Sequence, residues 1–163
     1  MTDRCVAHGS FCIERTFPVP PERVFAAWSS QPAKARWFGE DEDFFAATGE
    51  YTLDFRVGGQ EHLDGTLPGG RTFAYDAFYQ DIVDDRRIVA SYDVRIGGRR
   101  VSVSLMTVEI IPVSGGTRLV LTEQGAFLDD LDTNAQRVEG ARDSLDKLGE
   151  YLRHRARRGA GPM

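Results

Sequence analysis

The chain has 163 residues, 41% of them hydrophobic, which suits one domain with a core of its own. Its formal net charge of −5 excludes a nucleic-acid partner reached through a basic surface. The cysteines, Cys5 and Cys12, are too few for a disulfide framework, and no apolar run suits a signal peptide or a membrane span, so a cytoplasmic protein is expected.

Residues 1–9 are polar and expected to be flexible, leaving a single domain over 10–157 and a flexible tail over 158–163. Phe11, Ile13, Arg15 and Phe17 alternate on one face of a strand, which Pro18, Pro20 and Pro21 end because proline cannot donate to a ladder. Proline is well tolerated at a helix start, and Pro21–Ser29 reads as a helix turning Val24, Phe25 and Trp28 inward. A second short helix after Pro32 carries Ala33, Trp37 and Phe38. Glu40-Asp41-Glu42-Asp43 reads as a solvated acidic loop, since consecutive carboxylates do not converge on one ion.

From Phe44 onward the texture is strands and turns. Tyr51, Leu53, Phe55 and Val57 alternate with polar residues, and further strands are expected at 60–67, 71–82, 87–96, 99–112 and 117–124. Gly58-Gly59, Gly69-Gly70, Gly97-Gly98 and Gly115-Gly116 mark hairpins, which make neighbouring strands antiparallel. The apolar phase shifts from Val101, Val103 and Leu105 to Met106, Val108 and Ile110, as a bulge or burial of both faces would produce. Last comes a helix from Thr133 to about Arg157, with Thr133 or Asn134 as cap. Its apolar stripe is Val138, Ala141, Leu145, Leu148 and Leu152, at intervals of three and four. The order is α+β: helices gathered on one face of a curved antiparallel sheet of six to seven strands.

Several segments carry a family resemblance. ERTFPVPPERVFAAWSSQPAKARWF, DFRVGG at Asp54–Gly59, GTRLVLTEQGAF at Gly116–Phe127 and SLDKLGEYL at Ser144–Leu152 resemble the START-like, or Bet v 1-like (SRPBCC), helix-grip superfamily. Within it they are similar to the branch named for the activator of Hsp90 ATPase homologue 1 domain, over about Phe11 to Leu152. The resemblance implies a sheet wrapped around the C-terminal helix and a pocket for an apolar ligand between them. Relatives include lipid and hormone carriers, aromatic polyketide cyclases and co-chaperone domains, so no single activity is implied. Ala141 follows Gly140 where many relatives carry a tryptophan, so a cavity contact common among them is missing.

Catalytic motifs are absent: the chain has no G-x-S-x-G elbow, P-loop or G-x-G-x-x-G. Cys5, His8 and Cys12 lack a fourth ligand for structural zinc, and His62, after Glu61 on an edge-like strand, reads as solvated. No metal, cofactor or catalytic residue is therefore assigned. Trp28 and Phe55 are apolar candidates for a cavity wall. Tyr75, Tyr79 and Tyr92 lie on apolar strand faces, where a tyrosine either lines a cavity with its polar tip or fills the core. On the long helix Ala141, Leu145 and Leu148 face the sheet, with Leu145 nearest the pocket. Phe127 is expected to close over the mouth, with Asp129, Asp130 and Asp132 facing water. Arg15 and Glu123 fall in phase with inward apolar residues, on strands that the resemblance makes neighbours, and are expected to pair.

The leading reading is a protein that binds a small apolar or aromatic molecule. The second is a cyclase-like or hydrolase-like enzyme using pocket carboxylates and tyrosines as acid and base. The third is an interaction module. Neither a nucleic acid nor a membrane is expected as partner, a chaperone partner is disfavoured, and a homodimer remains open.

Overall fold

The computed structural model describes residues 4–39 and 47–159; the acidic run Glu40–Asp43 lies outside them. The chain opens with strand β1 (Val6–Phe17), followed by helices α1 (Pro21–Ser29) and α2 (Gln31–Lys34) and a π-helical turn over Ala35–Gly39. Strands β2 (Ala47–Leu53), β3 (Gln60–Thr66), β4 (Thr72–Val83), β5 (Arg87–Ile96), β6 (Arg99–Val113) and β7 (Gly116–Leu128) come next, and helix α3 (Asn134–Gly159) ends the series. The strands form one seven-stranded sheet in the order β1-β7-β6-β5-β4-β3-β2, and each neighbouring pair is antiparallel.

Hairpins build the sheet from β2 to β7, and β1 then joins β7 from the far end of the sequence, Cys12 opposite Thr122. Gly97 and Gly98 both take positive φ, 61° and 81°, as the tight turn between β5 and β6 requires. Gly116 serves a different need. A Cβ there would lie 2.1 Å from the Phe17 carbonyl oxygen, so only glycine lets β7 start against the end of β1.

Alternation along the strands decides what faces inward. Ile88, Ala90, Tyr92 and Val94 are buried on β5, and Met106, Val108 and Ile110 on β6. The phase change in β6 is a bulge: the register steps between Val94–Ser102 and Arg95–Arg100, leaving Val101 as the extra residue. Ser102 and Ser104 thereby turn inward, while Val103 and Leu105 lie outside at 43% and 38% exposure. The stripe of α3 meets this face, with Ala141, Leu145, Leu148 and Leu152 buried. The Thr133 hydroxyl caps the helix, accepting from the Gln136 N–H at 3.1 Å.

Several boundaries differ from the sequence expectation. β1 starts at Val6, so part of the stretch expected to be loose is paired to β7. β2 ends at Leu53 because Asp54–Gly59 folds into a turn, with Gly59 N–H donating to the Arg56 carbonyl and Gly58 at φ 84°. β7 runs on to Leu128, so Gly125–Leu128 is strand rather than connector. α3 takes in Arg158 and Gly159, which were expected to belong to the tail.

Leu148 is fully buried where α3 meets the core, so Leu148→Ala should cost about 2–5 kcal/mol of unfolding free energy. Urea unfolding checks this. A loss under about 0.5 kcal/mol, typical of a surface change, would mean that the stripe is not core.

Candidate functional site

Aromatic rings form a continuous wall from α1 across the sheet. Trp28 meets Trp37 edge-on at 4.9 Å, and Trp37 meets Phe38 at 6.0 Å. Phe38 meets Tyr75 at 5.1 Å, and Tyr75 lies 4.9 Å from Tyr92 on the next strand. Edge-to-face contacts of this kind suit the ring quadrupole and hold each ring's orientation. Trp37 is fixed further by its Nε1–H, which donates to the Ala27 carbonyl at 2.9 Å.

Between this wall, the inner sheet face and the first half of α3 lies a cavity of about 700 Å³. Tyr75, Tyr92, Met106, Leu121 and Glu123 border it from the sheet, and Arg137, Ala141 and Leu145 from α3. Arg71 from the β3–β4 turn and Glu139 and Asp143 from α3 also border it.

Two carboxylates are buried on the inner face, and they differ in how fully they are satisfied. Glu61 is 1% exposed, and its oxygens accept from Lys34 Nζ at 2.8 and 2.9 Å, the Tyr51 hydroxyl at 2.6 Å and the Tyr79 hydroxyl at 2.9 Å. The Lys34 ammonium also sits 5.2 Å from the Trp28 ring and 4.8 Å from Phe38, a cation–π arrangement that strengthens away from water. Burial, followed by the charge of Glu61, raises the pKa of Tyr51 and Tyr79 above that of a free phenol. An ion pair this deep persists only because its remaining hydrogen-bonding capacity is filled, and here it is filled.

Glu123 is 6% exposed and borders the cavity. Its Oε1 accepts from the Tyr92 hydroxyl, while Oε2 has no hydrogen-bond partner among the described residues. Arg137 Nη1 donates to the Tyr92 oxygen at 2.8 Å, and Nη2 donates to Ser102 Oγ at 2.9 Å and Asp132 Oδ2 at 2.6 Å. These donors fix the direction of the chain. A guanidinium only donates, so the Tyr92 oxygen must accept from it, and the phenolic hydrogen must go to Glu123 Oε1. Burial pushes the Glu123 carboxyl up to about 7, against the pull of the Tyr92 hydrogen bond and the Arg137 charge. When Glu123 is protonated, the proton therefore sits on Oε2.

Of the residues singled out from sequence, Trp28, Tyr75, Tyr92, Glu123, Ala141 and Leu145 border the cavity. Tyr79 and Phe55 meet edge-on at 4.9 Å, beside Phe25, and Leu148 is fully buried; none of the three is on the cavity wall. Arg15 does not pair with Glu123. The β1–β7 register sets Phe11 opposite Glu123 and Arg15 opposite Leu119, four residues and roughly 13 Å along the strand. Arg15 instead reaches Asp146 on α3 at 3.5 Å.

Phe127 is no gate: it is a β7 residue, 3% exposed, with the Arg137 guanidinium 5.8 Å from its ring. Nor do all the neighbouring aspartates face water, since Asp132 holds Arg137 and Asp129 accepts from Arg4 and the Cys5 N–H. His62 lies on an inner strand, between β2 and β4. Its ring nitrogens face Asp76 at 2.7 Å and Asp64 at 2.9 Å, hydrogen bonds that raise its pKa. Glu50, His62 and Asp64 bring potential metal ligands together, but both imidazole nitrogens are already engaged.

Lys34, Glu61 and Arg137 are the residues that sequence reasoning missed. Glu61 shares its strand face with Leu63, and Arg137 lies one turn before Ala141 on the apolar stripe of α3. Both parities were available signals.

The sequence profile described as activator of Hsp90 ATPase homolog 1-like protein matches residues 18–153. Among solved structures, an uncharacterized protein from Rhizobium leguminosarum is similar at 40% identity and a TM-score of 0.89, over 94% of this chain and 99% of its own. A protein from Rhizobium loti is 44% identical with a TM-score of 0.83, over 90% and 99% of the two chains. An activator of Hsp90 ATPase homolog 1-like protein from Aeromonas hydrophila, 21% identical over 91% and 94% with a TM-score of 0.68, shares the fold. Comparison with the curated proteins finds no match.

Two expectations follow for the buried charges. Lys34→Met leaves the Glu61 carboxylate without its counterion and should cost about 3–5 kcal/mol in denaturant unfolding; a change under about 1 kcal/mol would contradict the buried pair. Glu123 holds its proton more tightly folded than unfolded, from an ordinary value of 4.5 up to about 7. Its contribution to stability is thus full below about 4.5 and is lost as pH rises through about 7. Between pH 5 and 8, wild type should lose on the order of 3 kcal/mol more than Glu123→Gln, measured by chemical unfolding at each pH. Parallel pH profiles would refute the assignment.

Proposed function

The chain belongs to the activator of Hsp90 ATPase homolog 1-like family, and from that premise we propose that it is a binding protein, holding a small hydrophobic or aromatic molecule between the sheet and α3. One observation carries this reading: a cavity of about 700 Å³ whose wall is a run of aromatic rings beside one buried carboxylate, Glu123, that keeps an oxygen without a hydrogen bond among the described residues. Pockets for small molecules have this make-up, an apolar wall with few convergent polar groups. Lys34 is neutralised by Glu61 and Arg137 by Asp132, so neither asks for a counter-charge from the occupant, while Arg71, Glu139 and Asp143 on the border are exposed to water. Among the described residues no helix is long and apolar enough to cross a membrane. The formal net charge of −5 supports a reading without a nucleic-acid partner, and a cytoplasmic setting is part of the proposal.

A second reading, a cyclase-like or hydrolase-like enzyme, rests on the same carboxyl. A group titrating at about 7 with an open oxygen has the proton affinity of a general acid or base at neutral pH. A third, docking to a partner protein, draws on Phe78 and Leu105, exposed on the convex face on either side of Ser91. The cavity is the more developed feature, and binding is the reading we adopt.

Ala141 borders the cavity as a mere methyl group, so Ala141→Trp should fill the space without disturbing the core. Native mass spectrometry of protein purified from its own host should show a bound mass in wild type and none in the variant. Titration with the neutral dye N-phenyl-1-naphthylamine should fall at least tenfold in affinity, with Tm within about 3 °C of wild type. Equal dye binding by a folded variant would move the site elsewhere.

A further inference from the structure

We propose that the ligand of this cavity is an uncharged molecule that presents a hydroxyl group, on an aromatic or similarly flat apolar body, to Oε2 of Glu123. The proposal rests on the binding function argued above and names the chemistry that would satisfy that site.

Several polar groups of the cavity wall are already spoken for. Tyr92 is spent as a donor, since its hydrogen goes to Glu123 Oε1, and it accepts from Arg137. Arg137 is held in addition by Ser102 and Asp132. Lys34 is held by Glu61, which Tyr51 and Tyr79 complete. Among the buried residues of the lining, three polar atoms have no hydrogen-bond partner among the described residues: Glu123 Oε2, the Tyr75 hydroxyl and Trp28 Nε1; Arg71, Gln136, Glu139 and Asp143 also border the cavity but are exposed to water. Trp28 and Tyr75 are themselves 4% and 6% exposed. Unpartnered polar groups this deep are costly unless a water or a ligand answers them.

The chemistry of Oε2 narrows what can answer it. Ionised, it accepts only; protonated, it carries the proton and donates, because Oε1 is occupied by Tyr92. A ligand hydroxyl complements both states, as it can donate to the first and accept from the second. An ether or ketone complements only the protonated state, an ammonium group only the ionised one. A ligand carboxylate would face Glu123 as a like charge whenever both are ionised. Cations are disfavoured on a second count, because the protein's own cations already stand by the aromatic wall: Lys34 at Trp28 and Phe38, and Arg137 at Tyr92. The same hydroxyl oxygen, or a second oxygen on the body, offers an acceptor to the Tyr75 O–H and the Trp28 N–H.

A set of naphthalenes that differ in one substituent tests this by calorimetric titration at pH 8, above the pKa of Glu123. 2-Naphthol should bind at least tenfold more tightly than 2-methoxynaphthalene, 2-naphthoate or 2-(aminomethyl)naphthalene. In Glu123→Gln the cavity-side oxygen becomes an amide that donates, Tyr92 keeps an acceptor, and the preference for naphthol over its methyl ether should shrink to within about twofold. If 2-naphthol and 2-methoxynaphthalene bind wild type equally, the hydroxyl assignment is overturned while the binding function stands. Tighter binding of the carboxylate or the ammonium compound overturns it in favour of a charged ligand. If none of the four binds, the cavity reading falls with it. The comparison within wild type decides the matter even if Glu123→Gln does not fold.

Discussion

A seven-stranded sheet spans roughly 30 Å across its strands, since neighbours lie about 4.8 Å apart, whereas a helix with its side chains is only about 10 Å wide. One long helix cannot cover such a face alone, and the rest of the molecule follows from that mismatch. α1, α2 and the π-helical turn bring Val24, Trp28, Trp37 and Phe38 to the face. What they and α3 leave unfilled is the cavity. Its place is set by side-chain size: Ala141 takes up little room where α3 could have carried a large residue, and the β6 bulge turns Ser102 and Ser104 inward rather than Val103 and Leu105.

The same inner face contains carboxylates at Glu61 and Glu123, and they are satisfied to different degrees. Glu61 has a counterion and two phenols, so each oxygen is used, and its place is that of a polar strut joining α2 to β2, β3 and β4. Glu123 has one phenol and a guanidinium a step away. The charge that would neutralise it is committed to Asp132, which is why burial dominates and its proton is retained to near neutrality. Arg137 is itself unusual in lying in the first turn of α3, where the macrodipole disfavours a cation. Asp132, just before the helix, offsets that and holds the guanidinium in place.

How much of this could be read from sequence depended on which spatial dimension was asked about. Alternation along a strand reports the face on which a side chain lies, and it put Glu123, Tyr75 and Tyr92 correctly inside. It says nothing about position along a neighbouring strand. Arg15 and Glu123 were thus judged neighbours although the register separates them by four residues. The same blindness hid the Glu61–Lys34 pair, which joins the four-residue helix α2 to β3, the second strand after it. Arg137 was hidden for another reason: a charged residue on an apolar stripe reads as the stripe's end, when here it is the stripe's polar terminus, aimed at Tyr92. Gly125–Leu128, with its glycine and the acidic run after it, looked like a loop; pairing on both sides, to β1 and to β6, made it strand.

The pairing of β1 with β7 also has a consequence in time. The partners Cys12 and Thr122 are 110 residues apart, and ribosomes add roughly 5–20 residues per second, so β1 leaves the ribosome several seconds or more before its neighbour exists. Throughout that interval it is an unpaired edge, with Ile13 and Phe17 open to other chains. The hairpins from β2 to β6 can close as they emerge, but the grip itself cannot form until β7 and α3 are complete. Completion of the sheet therefore depends on how β1 is kept from other chains during that wait, as well as on the stability of the finished core.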